Sequence, residues 1–157
     1  MKAIAIADFG AVPTLHDLPV PQPGEGDLLV RVEASSVNGF DLAVASGKVK
    51  GMMEYRLPIV LGRDFAGTVE AVGPGVTGFA VGDPVFGVLV TRTLGDGTFA
   101  EHVAVPAMFV AKVPEGLPMH FAGALGAAGA TAMDAIDAID PSRGETVLIS
   151  GATGGVG

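Results

Sequence analysis

The chain has 157 residues, of which 49% are hydrophobic and 17% charged, and this composition excludes an intrinsically disordered chain. Seventeen acidic residues against nine basic ones give a net charge of −8, and no run of Lys or Arg is present, so we expect no nucleic-acid partner and no anionic membrane partner. Cysteine is absent, which excludes disulfides and thiolate metal ligands.

The hydropathy pattern predicts a soluble, cytoplasmic protein. No stretch of about 18 uninterrupted apolar residues is present. The chain leads from Met1 into a short strand pattern rather than into the apolar stretch of a signal peptide.

Residues 1–117 are predicted to form a β-rich domain, because short β patterns alternate there with Gly and Pro. Between the second and third predicted strands, Asn38 is placed to cap a short helix that stops at Gly47. The predicted strands are Ala3–Ala7, Asp27–Ser36, Phe65–Val72, Asp83–Leu89, Thr98–Val105 and Phe109–Ala111.

Residues 118–157 have a different pattern and are predicted to begin a second, α/β domain. The Ala- and Gly-rich stretch Met119–Ala138 has apolar residues at helical spacing, which predicts two helices or one kinked helix. A turn is predicted over Asp140–Gly144. The apolar run Glu145–Ser150 then predicts a buried strand of a parallel sheet.

The last seven residues have the pattern of a dinucleotide-binding turn. In such a turn, glycines let backbone N–H groups approach a pyrophosphate at the N-terminus of the following helix. The motif is weak by itself, but the predicted strand before it strengthens the interpretation. The predicted cofactor-binding residues are Gly151, Ala152, Thr153, Gly154, Gly155, Val156 and Gly157.

Several motifs occur in an order that resembles the medium-chain dehydrogenase/reductase superfamily. The longest is LGRDFAGTVEAVGPGV from Leu61, continued by VGDPVFG up to Gly87. The others are Val37–Asp41, Gly97–Glu101, Gly129–Ala132 and the closing glycine turn. The resemblance implies a mixed β and α/β fold, with a GroES-like β-barrel followed by the first helix and strand of a truncated Rossmann domain. Members of the family are considerably longer than this chain.

The resemblance also bears on zinc. The alcohol dehydrogenase branch of the superfamily holds a catalytic zinc with a Cys and a His-Glu pair, and the matching positions here are Asn38 and Arg63-Asp64. Arginine stays protonated and has no free lone pair, so Arg63 cannot bind a metal. The four-cysteine zinc lobe is absent as well. We therefore predict no metal site, and the pattern is similar to the zinc-free quinone oxidoreductase branch.

That branch implies the reduction of a quinone or a conjugated enone by hydride transfer from NADPH, or from NADH. Negative charge then develops on an oxygen and needs hydrogen-bond donors. The resemblance places Asn38 and Asp41 on the active-site Asn and Asp of the branch. Asn38 either donates its amide to that oxygen or only caps the helix, and Asp41 either orients a neighbour or only favours the helix dipole.

Three further residues are candidates for the site. Arg63 either contacts the substrate or a cofactor phosphate, or forms an ion pair with an Asp. Tyr55, the only tyrosine, is a candidate hydroxyl donor. Thr131 resembles the residue that lies near the nicotinamide in the family.

We therefore predict the N-terminal portion of a zinc-free reductase of small apolar carbonyls or quinones, and we expect the isolated fragment to be inactive. Two alternatives stay open: a non-catalytic GroES-like binding or assembly module, and an enoyl-thioester or alkenal reductase. The strand Thr146–Ile149 would have unpaired edges, so we expect the second half of the chain or another copy in a homo-oligomer to cover it.

Overall fold

A computed structural model describes every residue from Met1 to Gly157. The strands are β1 Lys2–Ile6, β2 Thr14–Asp17, β3 Asp27–Ala34, β4 Glu54–Tyr55, β5 Ile59–Val60, β6 Asp64–Val72, β7 Pro84–Val88, β8 Thr93–Leu94, β9 His102–Pro106 and β10 Val110–Lys112. The helices are α1 Gly39–Ala45, α2 Met119–Ala122 and α3 Gly126–Ile139, and a short 3₁₀ helix spans Ala107–Phe109.

The largest sheet has five antiparallel strands in the order β10-β7-β6-β3-β9. Successive residues of a strand point to opposite faces, so alternate apolar residues of this sheet meet on one side. Phe65 lies at the centre of the resulting core and is fully buried. The other members of the core are Leu28, Val30, Val69, Val85, Leu89, Val103 and Val105.

A second sheet, in the order β2-β1-β5, closes the other side of the β domain. Its strand β5 is only two residues long, yet Val60 and Ile59 pair with Ala5 and Ile6 of β1 and are buried. A small parallel pair, β4 and β8, lies beside it. The β domain is therefore built from short, mainly antiparallel strands with few helices, as the resemblance implies.

All six strands predicted for residues 1–117 are present, with shifted ends. The largest shift is in the strand predicted over Thr98–Val105, which begins only at His102. The backbone N–H of Thr98 bonds the carbonyl of Gly62 outside the strand ladders, which removes the first residues from the sheet. Four short strands were not predicted, namely β2, β4, β5 and β8.

The predicted helices are confirmed. Asn38 is the N-cap of α1, and Gly47 follows the helix with a positive φ of 79°. The Ala- and Gly-rich stretch forms two helices, α2 and α3, which pack against the five-stranded sheet. Gly126 permits this approach, because a Cβ there would lie 2.4 Å from the carbonyl oxygen of Gly87.

The predicted strand over Glu145–Ser150 is not formed. Residues 145–149 have no regular structure, and Leu148 is 93% exposed. No strand of the chain lies beside this segment, and a strand without a neighbour leaves its backbone groups without ladder partners. None of the helices is long and apolar enough to cross a bilayer.

Candidate functional site

Four segments that are distant in sequence meet at one end of the five-stranded sheet. They are the loop after β3, the first turn of α1, the start of β6 and the first turn of α3. Polar side chains from the first three segments are held together by hydrogen bonds, and the backbone of α3 joins them. Asn38, Asp41 and Asp64 belong to this group, and Arg63 lies near enough for its charge to act on Asp41; we call these four residues the polar cluster.

Asp64 is the centre of the polar cluster, and it is completely buried. Its Oδ2 accepts hydrogen bonds from Ser36 Oγ at 2.6 Å and from Asn38 Nδ2 at 2.9 Å. Its Oδ1 accepts one from the backbone N–H of Ala127 at 2.7 Å. A buried carboxylate is tolerated when its oxygens are hydrogen-bonded in this way, and the N-terminal end of α3 adds a favourable dipole.

The side chain of Asn38 is turned towards Asp64. A carboxylate oxygen accepts hydrogen bonds, so the NH2 group of the amide faces it. The second contact of this NH2 group is Ser36 Oγ at 3.3 Å. Asp64 Oδ2 and Ser36 Oγ are themselves 2.6 Å apart and lie in nearly the same direction from Nδ2, so one N–H of the amide serves both, and the other N–H has no acceptor within the chain. This second N–H is the one that the predicted donation to a substrate oxygen would use.

Asp41 is also buried and is held by backbone donors. Its Oδ2 accepts from the N–H of Asn38 at 2.7 Å, and its Oδ1 accepts from the N–H of Gly62 at 3.2 Å. Burial raises the pKa of the Asp41 carboxyl, and these two hydrogen bonds and the charge of Arg63 oppose that rise. Asp41 thus links the N-terminus of α1 to the glycine that precedes Arg63.

Arg63 is half-buried and has no carboxylate partner within ion-pair distance. Its Nη1 donates to the carbonyl oxygen of Leu89 at 3.4 Å, and its guanidinium carbon lies 5.1 Å from the centre of the Phe40 ring. Burial lowers the pKa of the Arg63 guanidinium, whereas the charge of Asp41 raises it. The alternative predicted for Arg63, an ion pair with an Asp, is not formed.

Tyr55 lies outside the polar cluster, in the small sheet of β4 and β8. The residue is 42% exposed, and its ring packs edge-on against Phe9, with the ring centres 5.0 Å apart. The role of Tyr55 as a hydroxyl donor stays a prediction.

Thr131 lies on α3, one turn after Ala127. Its hydroxyl donates to the carbonyl oxygen of Ala127 at 2.7 Å, so its single O–H donor is already used within the helix. The oxygen of Thr131 is exposed and can still accept a hydrogen bond.

The glycine segment 151–157 is exposed and does not form a strand–turn–helix corner. The N–H of Gly154 bonds the carbonyl oxygen of Gly151 at 2.8 Å, and Gly151 has a positive φ of 80°. A turn is therefore present, but no strand precedes it and no helix follows it within the chain. As they are arranged here, these residues do not form a dinucleotide pocket.

No three His, Cys, Asp or Glu side chains converge in the chain in a way that would hold a metal ion. A cavity of about 590 Å³ lies between Leu18, Pro58, Gly95 and Ala104. None of the residues of the polar cluster lines it. We place the candidate site at the polar cluster rather than at this cavity, because the buried charges and the unpaired guanidinium are at the cluster.

Sequence reasoning missed the central role of Asp64 and the contribution of Ser36. One signal was available: a carboxylate stands immediately before the buried run Phe65–Gly67, where a charge needs partners. The identity of those partners depends on the contact between β6 and α3, which are separated by more than fifty residues. That contact forms only when the chain folds, so no local sequence pattern indicates it.

The comparisons with known proteins agree with this architecture. The family model of the alcohol dehydrogenase GroES-like domain matches residues 24–115. The chain therefore belongs to this family, within the medium-chain dehydrogenase/reductase superfamily.

Individual relatives align with this chain over its whole length. Quinone oxidoreductase of Lama guanicoe is 37% identical over 161 residues, which cover 100% of this chain and 47% of the relative. Acryloyl-coenzyme A reductase of Sulfurisphaera tokodaii is 31% identical over 180 residues, and the alignment covers 53% of that relative. A mycobacterial protein solved in complex with NADPH is 38% identical, with a TM-score of 0.83. The alignment with it covers 99% of this chain and 47% of the mycobacterial chain. The chain spans about half the length of these relatives.

Proposed function

We propose that the protein carrying this chain is a zinc-independent oxidoreductase that reduces quinones or conjugated enones by hydride transfer from NADPH. The chain supplies the substrate side of that site. Family membership supports an oxidoreductase, the name of the Lama guanicoe relative supports a quinone, and the solved complex supports NADPH, with NADH as the alternative cofactor.

The single observation that carries the proposal is the unpaired guanidinium of Arg63. Reduction of a conjugated carbonyl places negative charge on its oxygen, and a fixed cation with free N–H donors stabilises that charge. Arg63 has one long hydrogen bond, to Leu89, and no carboxylate partner. Its partial burial strengthens its interaction with a developing charge, because water screens it less.

Asn38 and Asp41 have supporting roles in this proposal. Asp41 holds the N-terminus of α1 and the peptide of Gly62 in place, and its negative charge lies near Arg63. In this proposal Asn38 donates to a substrate oxygen through the N–H that has no acceptor within the chain, while its other N–H stays with Asp64 and Ser36.

The proposal excludes zinc on the chemistry of the side chains. Arg63 stands where the zinc-dependent branch has a ligand, and it has no lone pair to offer. The nicotinamide would supply the hydride in the whole protein. Because residues 151–157 do not form a pocket in this chain, we expect the 157-residue chain alone to bind NADPH weakly and to be inactive. We further propose that the whole protein works in the cytoplasm as a homo-oligomer.

The test is a panel of acceptors offered to the natural gene product that carries residues 1–157, with NADPH and NADH oxidation as the readout. We expect turnover with a simple quinone or with an enone, both before and after dialysis against a chelator. Loss of turnover on chelation that zinc alone restores would contradict the zinc-free mechanism. Absence of turnover with every acceptor would support the non-catalytic binding or assembly module instead.

Enoyl-thioester reduction is the second candidate function, because the Sulfurisphaera tokodaii relative is named for acryloyl-coenzyme A. An acryloyl group is also a conjugated carbonyl, so Arg63 would face the same developing charge. The same panel separates the two functions: a kcat/KM that is highest for an acryloyl thioester favours this candidate, and one that is highest for a quinone favours the first.

A further inference from the structure

Asp64 contacts both sides of the proposed site, the loop before α1 on the substrate side and helix α3 on the cofactor side. Its Oδ2 is bonded to Asn38 and Ser36 in the loop that leads into α1, and its Oδ1 is bonded to Ala127 in the first turn of α3. The carbonyl of Ala127 in turn accepts from the hydroxyl of Thr131. A chain of three short contacts therefore joins the predicted substrate-side amide to the predicted cofactor-side threonine.

The geometry points to Asp64 as a positioning residue: we propose that its carboxylate sets the position of Asn38 relative to the first turn of α3. This inference rests on the proposed function for its catalytic meaning. Oδ2 of Asp64 is bonded to the loop before α1 and Oδ1 to α3, so a shift of either the loop or the helix would break a hydrogen bond to a fully buried group.

Two further features support a positioning role. The charge of Asp64 is not neutralised by an ion pair, since Arg63 faces Leu89 and Phe40, so hydrogen bonds alone hold the carboxylate. In addition, a Cβ on Gly126 would lie 2.6 Å from Oδ1 of Asp64, so the helix approaches the carboxylate as closely as the backbone allows.

The variant Asp64→Asn tests the inference because it keeps the shape and removes one acceptor. The new NH2 group must face either Ala127 or the donors Ser36 and Asn38, and at least one contact is lost. We expect the Asn38 side-chain NH2 signals or the Ala127 amide signal to move in the NMR spectrum, and we expect faster hydrogen exchange at the broken contact. We also expect kcat to fall by about 10²-fold with a smaller change in KM, as for a misplaced reacting group.

The matched control is Asp83→Asn, which removes a carboxylate that accepts from Ala80 and pairs with Lys112 outside the polar cluster. It should leave both NMR signals and kcat unchanged. Where Asp64→Asn fails to fold, Ser36→Ala replaces it: this variant removes one donor, and it should move the Asn38 signals and leave the Ala127 amide in place.

The two proposals fail in different ways. An inactive wild-type protein whose Asn38 and Ala127 signals still respond to Asp64→Asn would overturn the proposed function and keep the positioning role. An active protein in which Asp64→Asn leaves both signals and kcat unchanged would overturn the positioning role. Unchanged Asn38 signals in a folded Ser36→Ala variant would count against it as well.

Discussion

Two apolar runs of the chain, Ile59–Leu61 and Val147–Ile149, have the same composition, one Ile, one Val and one Leu each, but the first is buried and the second is exposed. The first lies beside β1, and its three residues are at most 6% exposed. The second has no neighbouring strand, and its residues are 43–93% exposed. The difference teaches that a short apolar run becomes a buried strand only where a sheet edge is available to pair with it.

The largest expected effect comes from a substitution in the buried core of the β domain. Phe65→Ala removes a fully buried ring from the main core and should lower the free energy of unfolding by about 3–5 kcal/mol. Leu148→Ala is the matched change in the exposed run and should alter it by less than about 0.5 kcal/mol. Urea unfolding of both variants measures the contrast, and a similar loss for both would show that residues 145–149 are packed in solution.

The next effect concerns the junction between the β domain and the C-terminal helices. Gly126 and Gly39 are each the first residue of a helix, but a Cβ on Gly126 would meet backbone and Asp64, whereas a Cβ on Gly39 meets nothing within 4 Å. Gly126→Ala should therefore destabilise the chain by about 1–3 kcal/mol through overpacking. Gly39→Ala should be neutral or stabilising by up to about 1 kcal/mol.

Thermal unfolding of the two glycine variants is the measurement. Equal stability of the two would mean that α3 does not press against Gly87 and Asp64 as described. A loss in Gly126→Ala alone would confirm that the helix is held closely to the sheet.

The smallest effect is a pH dependence within the polar cluster. The pKa of Asp41 is raised by burial above its ordinary value of 3.8, so folding favours the protonated form. The stability that this provides is present at low pH and is lost as the pH rises through the raised pKa. The free energy of unfolding of the wild type minus that of Asp41→Asn should therefore decrease as the pH rises above 3.8.

Asp83 gives the opposite sign and serves as the control. The hydrogen bond from Lys112 lowers the pKa of Asp83, so the stability it contributes is present above 3.8 and is lost as the pH falls through the lowered value. Unfolding in urea at a series of pH values compares the two variants with the wild type. A difference for Asp41→Asn that stays flat or rises with pH would contradict the burial described for Asp41.

Most of the fold was predictable because its longer strands have strong local patterns. Strand β6 is a buried run after a glycine, and α1 has Asn38 before it and Gly47 after it, which are local signals. The strands β4, β5 and β8 have two residues each, and no periodicity can be recognised over two residues. They exist because a neighbour pairs with them.

The candidate site was predictable in part for the same reason. Asn38, Asp41 and Arg63 belong to motifs that are local in sequence, and the structure brings them together. Tyr55 was proposed on its residue type alone, and it lies elsewhere. Asp64 was not proposed, because its importance comes from Ala127, whose amide reaches it only through the packing of α3 on the sheet.

The central claim is that the unpaired guanidinium of Arg63 stabilises the charge that develops on a reduced carbonyl or quinone. The direct test compares Arg63→Gln with Arg56→Gln in the natural gene product, using kcat/KM for quinone reduction with NADPH. Arg56 is an exposed arginine paired with Asp96 at 3.0 Å, away from the polar cluster. We predict a loss of about 10²–10³-fold for Arg63→Gln in a protein that still unfolds at the wild-type temperature, and no change for Arg56→Gln. Wild-type kcat/KM in Arg63→Gln would contradict the account.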